Sequence, residues 1–159
     1  MKKSVTFLMV AIMITGCGSY SVKPATEEED IAAKKFITYP EKATVYIYRD
    51  NTHGTGEHVL PSKRSLPVWV DGKNMGVMPL HTYQHLMLEP GEHAFASEGK
   101  NRDETVIHTR AGEVTFVQIE AELDVLTRSE VSVFKTDKDI FRKRMKDFFL
   151  IKYIGDEKQ

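Results

Sequence analysis

One cysteine, Cys17, stands in 159 residues, so no disulfide within the chain holds the fold together and packing must do so. Neither sign of charge dominates: 22 Lys and Arg against 23 Asp and Glu leave a net charge of -1. That balance argues against a general nucleic-acid binder and against an acidic, disordered chain. No apolar run reaches the roughly 20 residues that a membrane-spanning helix needs; residues 5–14 come nearest and are interrupted by Thr6. There is no internal repeat, no low-complexity tract, no phosphate-binding glycine loop, no G-x-S-x-G elbow and no H-E-x-x-H pair, which removes the commonest catalytic signatures.

What is present begins at the N-terminus. Lys2 and Lys3 precede the apolar run, and a basic start followed by a short apolar core reads as a secretory signal. Ile14-Thr15-Gly16-Cys17 follows and resembles the lipobox of bacterial lipoproteins. By that resemblance residues 1–16 are a signal peptide, the Cys17 thiol takes a diacylglyceryl group, and cleavage before it leaves an amino group that is commonly acylated too. Each buried methylene contributes about 0.8 kcal/mol and stable anchoring takes at least two chains, so lipidated Cys17 holds the protein on a membrane. Gly18, not being aspartate, points by the same resemblance to the outer membrane.

The length fits one domain plus appendages. Residues 17–40 read as a tether with a short helix over 27–36: Thr26 and Glu29 form a capping box, three acids fill the first turn, and Asp30 and Lys34 are four apart. Tether and helix as a spacer would reach roughly 50–60 Å. Strands follow over 43–49, 65–70, 73–78, 83–88, 92–97, 105–109, 113–122 and 131–135, from period-two patterning and β-branched or aromatic content. Asp71-Gly72 marks a hairpin, as does Ala111-Gly112 between the strands flanking it; Pro90-Gly91 marks a further turn. Short strands at this spacing predict a mainly β, antiparallel sandwich over residues 41–135. Residues 136–159 read as an amphipathic C-terminal helix and tail, helical to about residue 153.

Ala43-Thr-Val-Tyr-Ile-Tyr-Arg49, Val70-Asp-Gly-Lys73 with Gly76, Thr82-Tyr83, Leu88-Glu-Pro-Gly-Glu-His93 and Ala111-Gly-Glu113 with Phe116 resemble, in order and spacing, the uncharacterised proteobacterial lipoprotein domains related to PEGA domains. The resemblance covers about residues 41–135. It implies an immunoglobulin- or transthyretin-like β-sandwich and no established activity. The segment 50–65 has no counterpart in it.

Six histidines raise a metal reading. His81 and His85 are four apart but not in a helical context, His53 and His58 share a loop, and His93 and His108 fall in separate strands, so ligand spacing is poor. His93 fits better as a hydrogen-bonding residue beside a turn. Asp71, Glu89, Glu92 and Glu120 are acids without an assignable nucleophile or base partner; no catalytic residue and no cofactor is assigned. In the C-terminal segment Phe141, Met145, Phe148 and Phe149 share a helical face, with Ile151 and Ile154 beyond and Arg142, Lys143, Arg144 and Lys146 between. Such a helix lies on a membrane or a partner, or packs on the sandwich with its charges in water; the mixed face favours packing.

The expectation is therefore a non-enzymatic binding or structural module of the bacterial cell envelope. It would be held through Cys17 on the inner leaflet of the outer membrane, facing the periplasm, with an envelope protein or cell-wall partner. A metal- or small-ligand-binding lipoprotein is the second reading and an envelope hydrolase the third.

Overall fold

The computed structural model describes residues 22–50, 59–61, 65–99, 101–124 and 130–155. Residues 1–16, Cys17 and the tether to residue 21 lie outside them, as do His53 and His58. The described chain runs β1 (Val22–Pro24), α1 (Glu27–Ala33), β2 (Ala43–Arg49), β3 (Val59–Pro61), β4 (Leu66–Val70), β5 (Lys73–Met78), β6 (Thr82–Leu88), β7 (Gly91–Glu98), β8 (Arg102–Thr109), β9 (Val114–Asp124), β10 (Glu130–Thr136), α2 (Lys138–Arg144) and β11 (Phe149–Tyr153). It is mainly β, with two sheets and two short helices among the described residues. The large sheet has the order β1-β11-β6-β2-β9-β10, with β3 also on β9; the small one is β5-β4-β7-β8.

Val45, Ile47, Val117 and Ile119 of the large sheet meet Leu66, Val68, Phe95 and Ile107 of the small one in an aliphatic core. The other face of the large sheet carries Tyr46, Tyr48, Tyr83 and Phe116, covered by Ala33 of α1 and by Phe141, Met145 and Phe148. Every residue of β2 is buried because it is covered on both sides.

Four differences from the sequence reading have physical causes. The sheet is mixed rather than antiparallel: β2 runs parallel to β9, and β11 parallel to β6. Parallel neighbours need long crossovers, here β3 to β8 between β2 and β9, and β7 to α2 between β6 and β11. Ala111-Gly112 is accordingly no hairpin, because β8 pairs with β7 in the small sheet while β9 belongs to the large one. Asp71-Gly72 does close the β4–β5 hairpin, both residues having positive φ (51° and 75°) as a two-residue turn requires.

The C-terminal helix ends at Arg144, one 3₁₀ turn (Met145–Asp147) follows, and residues 149–153 are a strand. Phe148 and Leu150 point to the aromatic layer while Ile151 enters the aliphatic core, a period of two that no helix supports. Phe149, assigned to the apolar helix face, is 68% exposed. Ile154 lies past the last strand. The packing role holds for what remains helical: Phe141 is fully buried, with ring centroids 4.7 Å from Tyr48 and 4.9 Å from Phe116. Arg142 lies over the Phe36 ring at 5.0 Å and Arg144 pairs with Asp50.

The tether is also part of the body. β1 pairs antiparallel with β11, Val22 opposite Tyr153. Val22 sits where a side chain on Gly76 (φ 90°) would be, 2.5 Å from the position of its Cβ, so only glycine fits there. Helix α1 has the expected capping box, Thr26 N–H donating to Glu29 Oε2 (2.9 Å) and Glu29 N–H to Thr26 Oγ1 (3.3 Å). It stops at Ala33 because the chain turns through Phe36 (φ 53°), sending that ring to within 5.2 Å of Tyr46. Docked in this way, α1 is no spacer, and residues 18–21 join Cys17 to β1.

Candidate functional site: an apolar groove beside the first strand

Helix α1 leans on the large sheet through polar side chains rather than through an apolar stripe. Asp30 accepts from the Tyr83 hydroxyl (2.8 Å), from the Leu150 N–H (3.0 Å) and from Lys34 (2.7 Å). Partial burial opposes its charge, but these donors outweigh it and hold the carboxyl below the ordinary aspartate value. Lys34 also donates to the Phe148 carbonyl (3.0 Å), and the Tyr46 hydroxyl to the Ala33 carbonyl (2.5 Å). Burial raises the Tyr46 pKa to about 12 and pushes Tyr83 up as well, so both remain neutral donors at any ordinary pH.

On one side of this contact lies a groove of about 850 Å³, between β1, α1 and the start of β11. Ala25, Ile31, Pro79, Phe149 and Ile151 supply its apolar wall. Ile31 is 52% exposed and Phe149 68%, an uncommon concentration of large apolar surface beside a concavity. Of the polar residues along it, Asp30 and Lys34 have the partners described above, Thr26 caps α1 and Thr82 donates to the Pro79 carbonyl, while Lys23 and Glu27 are exposed. On the other side of α1 is a hollow of about 290 Å³ lined by Glu29, Tyr39, Tyr46 and His85 among others. His85 stacks on Tyr46 at 4.8 Å, and its Nε2 is buried without a hydrogen bond. Burial lowers the His85 pKa, favouring the neutral ring.

The sequence candidates do not gather here. His81, in a left-handed conformation (φ 58°), stacks on Phe148, and His108 is exposed on β8. His93 Nδ1 lies 2.6 Å from Asp71 Oδ2, and its Nε2 2.7 Å from the Glu89 carbonyl oxygen. Two acceptors require both ring nitrogens to be protonated. Partial burial works against that charge, but Asp71 and the Glu89 carbonyl prevail and raise the His93 pKa above the ordinary value. Asp71 Oδ1 takes the Ala94 N–H at 2.9 Å. The V-D-G and P-G-E-H motifs are thus two halves of one clasp. Glu89 pairs with Lys42 at the surface, and Glu92 is exposed on β7. Glu120 is buried on β9, accepting from Gln118, whose Oε1 takes the Tyr48 hydroxyl (2.5 Å). Asp71, Glu89 and Glu92 thus lie around the His93 clasp and Glu120 apart from it on β9, and no group of three or more metal-binding side chains occurs among the described residues.

Sequence reasoning missed the groove because its walls were assigned to a tether and to a helix. The unbroken apolar run Phe148 to Ile151, short enough for a buried strand, was the available signal.

A family described as a protein of unknown function, DUF2846, matches residues 39–133. The chain belongs to the DUF2846 family. No curated protein and no solved structure matches it. The DUF2846 match takes in β2 to β9 and most of β10, and includes the Asp71–His93 clasp. It leaves out β1, α1, α2 and β11, so all of the groove except Pro79 and Thr82 is built by chain flanking the match.

Proposed function

We propose that this protein is a lipid-anchored lipoprotein of the bacterial cell envelope whose two-sheet domain acts as a non-enzymatic binding or structural module. The observation that carries this reading is Ile14-Thr15-Gly16-Cys17 directly after a basic and apolar leader. Four residues, 18–21, separate the anchoring Cys17 from β1, a span of at most about 18 Å from Cα to Cα. The domain is therefore carried close against the bilayer, on the inner leaflet of the outer membrane if Gly18 acts as its resemblance implies. The two-sheet body is read as a β-sandwich of the immunoglobulin- or transthyretin-like kind related to PEGA domains. Its partner is an envelope protein or cell-wall component.

Cells fed a labelled palmitate test the anchor. The wild-type protein is expected to carry label and fractionate with membranes, and a Cys17→Ser form to carry none. Label on the Cys17→Ser form, or none on the wild type, overturns the reading. A second reading, a small-ligand-binding lipoprotein, is favoured by the hollow holding the unpartnered His85 Nε2. Calorimetric titration with imidazole-binding small molecules in which His85→Phe binds as well as the wild type removes it.

A further inference from the structure

We infer that the groove between β1, α1 and β11 receives one acyl chain of the lipid on this protein's own Cys17; the inference rests on the lipoprotein reading above.

The groove is chemically suited to a chain of methylenes. Its walls are largely apolar, and the half-buried charges beside them are already paired, Asp30 with Tyr83, the Leu150 N–H and Lys34, and Lys34 with the Phe148 carbonyl, while the other two charged residues along it, Lys23 and Glu27, are exposed. A polar ligand lying against Asp30 and Lys34 would have to break those bonds, whereas an alkyl chain asks for none of them. Ile31 and Phe149, both largely exposed, flank the opening and gain most from being covered.

The attachment point fixes which alkyl chain arrives first. Val22 lines the groove, and Cys17 is five residues before it, so the two Cα atoms lie within about 18 Å of each other however the intervening residues run. A chain tethered that closely acts at an effective concentration in the millimolar range, which a free lipid does not match. A fully modified cysteine carries three acyl chains, by resemblance to other bacterial lipoproteins, and about two suffice for stable anchoring. One chain is therefore free to occupy the groove while the others stay in the bilayer.

The test has two arms. The mature chain from residue 17 carrying Cys17→Ser, whose two cores both lie within residues 22–155, is titrated with a fluorescent long-chain fatty acid. Saturable one-to-one binding is expected. The exposed-site double variant Ile31→Asp, Phe149→Asp should weaken it by roughly tenfold or more at unchanged melting temperature. No binding, or binding unaffected by the double variant, overturns the inference; so does loss of binding in favour of adsorption to phosphatidylethanolamine–phosphatidylglycerol vesicles, which would make the groove a membrane contact. In the second arm, cells are fed a diazirine-bearing fatty acid, the full-length protein is irradiated, and its cross-linked peptides are mapped. Cross-links from Cys17 to residues 22–34 or 149–151 of the same chain are expected. Lipid on Cys17 that cross-links only to phospholipid or to other proteins overturns the inference and leaves the lipoprotein reading intact. Absence of any lipid on Cys17 overturns both.

Discussion

The two faces of β2 look into different interiors. Toward the small sheet, Val45 and Ile47 meet aliphatic side chains; toward the helices, Tyr46 and Tyr48 meet rings from Phe36, Phe116 and Phe141. The aliphatic side is held by area and shape, which carry little direction. The aromatic side adds hydroxyls that aim at particular acceptors: Tyr46 at the Ala33 carbonyl, Tyr83 at Asp30, Tyr48 at Gln118. The first interior falls largely inside the stretch matched by the family; the second fastens the chain on either side of it. A core that must only cohere uses aliphatics, and a layer that must seat a seven-residue helix in one orientation uses rings with polar handles.

If these interiors are separate units, large truncations on each side will part company. Phe95→Ala is expected to cost about 3–5 kcal/mol in denaturant unfolding, with hydrogen-exchange protection falling throughout both sheets. Phe141→Ala should cost about 3 kcal/mol, its lost protection concentrated in β1, α1, α2 and β11. Equal loss everywhere in both variants would break the division. A smaller effect sharpens it: Asp30→Ala removes the acceptor shared by Tyr83, Lys34 and the Leu150 N–H and should cost about 1–3 kcal/mol. In a double-mutant cycle with Tyr83→Phe the losses should be non-additive, and simple addition would show that the handle does not hold the helix.

The smallest effect lies far from the aromatic layer. His93 has a raised pKa, so its clasp with Asp71 stabilises fully below the unfolded histidine value of about 6.5 and fades as pH rises through the native value. Asp71 is shifted down by His93 and the Ala94 N–H, which outweigh its partial burial; its share is present above about pH 3.9 and is lost as pH falls through its native value. Between those limits the wild type should exceed His93→Gln by about 1 kcal/mol, the gap narrowing at pH 9. A gap that is flat with pH would mean the ring is held neutral.

The body was largely legible. Period two in Ala43 to Arg49, the Asp71-Gly72 turn and the Thr26–Glu29 capping box are local signals, and local structure followed them. Pairing was not legible: Ala111-Gly112 has the same turn chemistry whether the chain doubles back or crosses to the other sheet. The groove was hidden for a related reason. Val22-Lys-Pro24 is too short to declare itself a strand, and it becomes one only because Phe149 to Tyr153, over a hundred residues later, offers it an edge. Basic residues before Phe148 continue a helical pattern that parallel pairing with β6 overrides.

That edge sets an order of events. Chain that emerges N-terminus first presents residues 22–36 early, yet β1 has no neighbour in the sheet and the Asp30 carboxyl no Leu150 amide until the final strand has appeared. The beginning of the fold must wait, solvated, for its end. Contacts of such sequence separation slow closure, so release of the last strand acts as the latch that seats the first helix. A chain shortened before residue 149 would keep most of both sheets yet leave its opening segment loose and open to proteases.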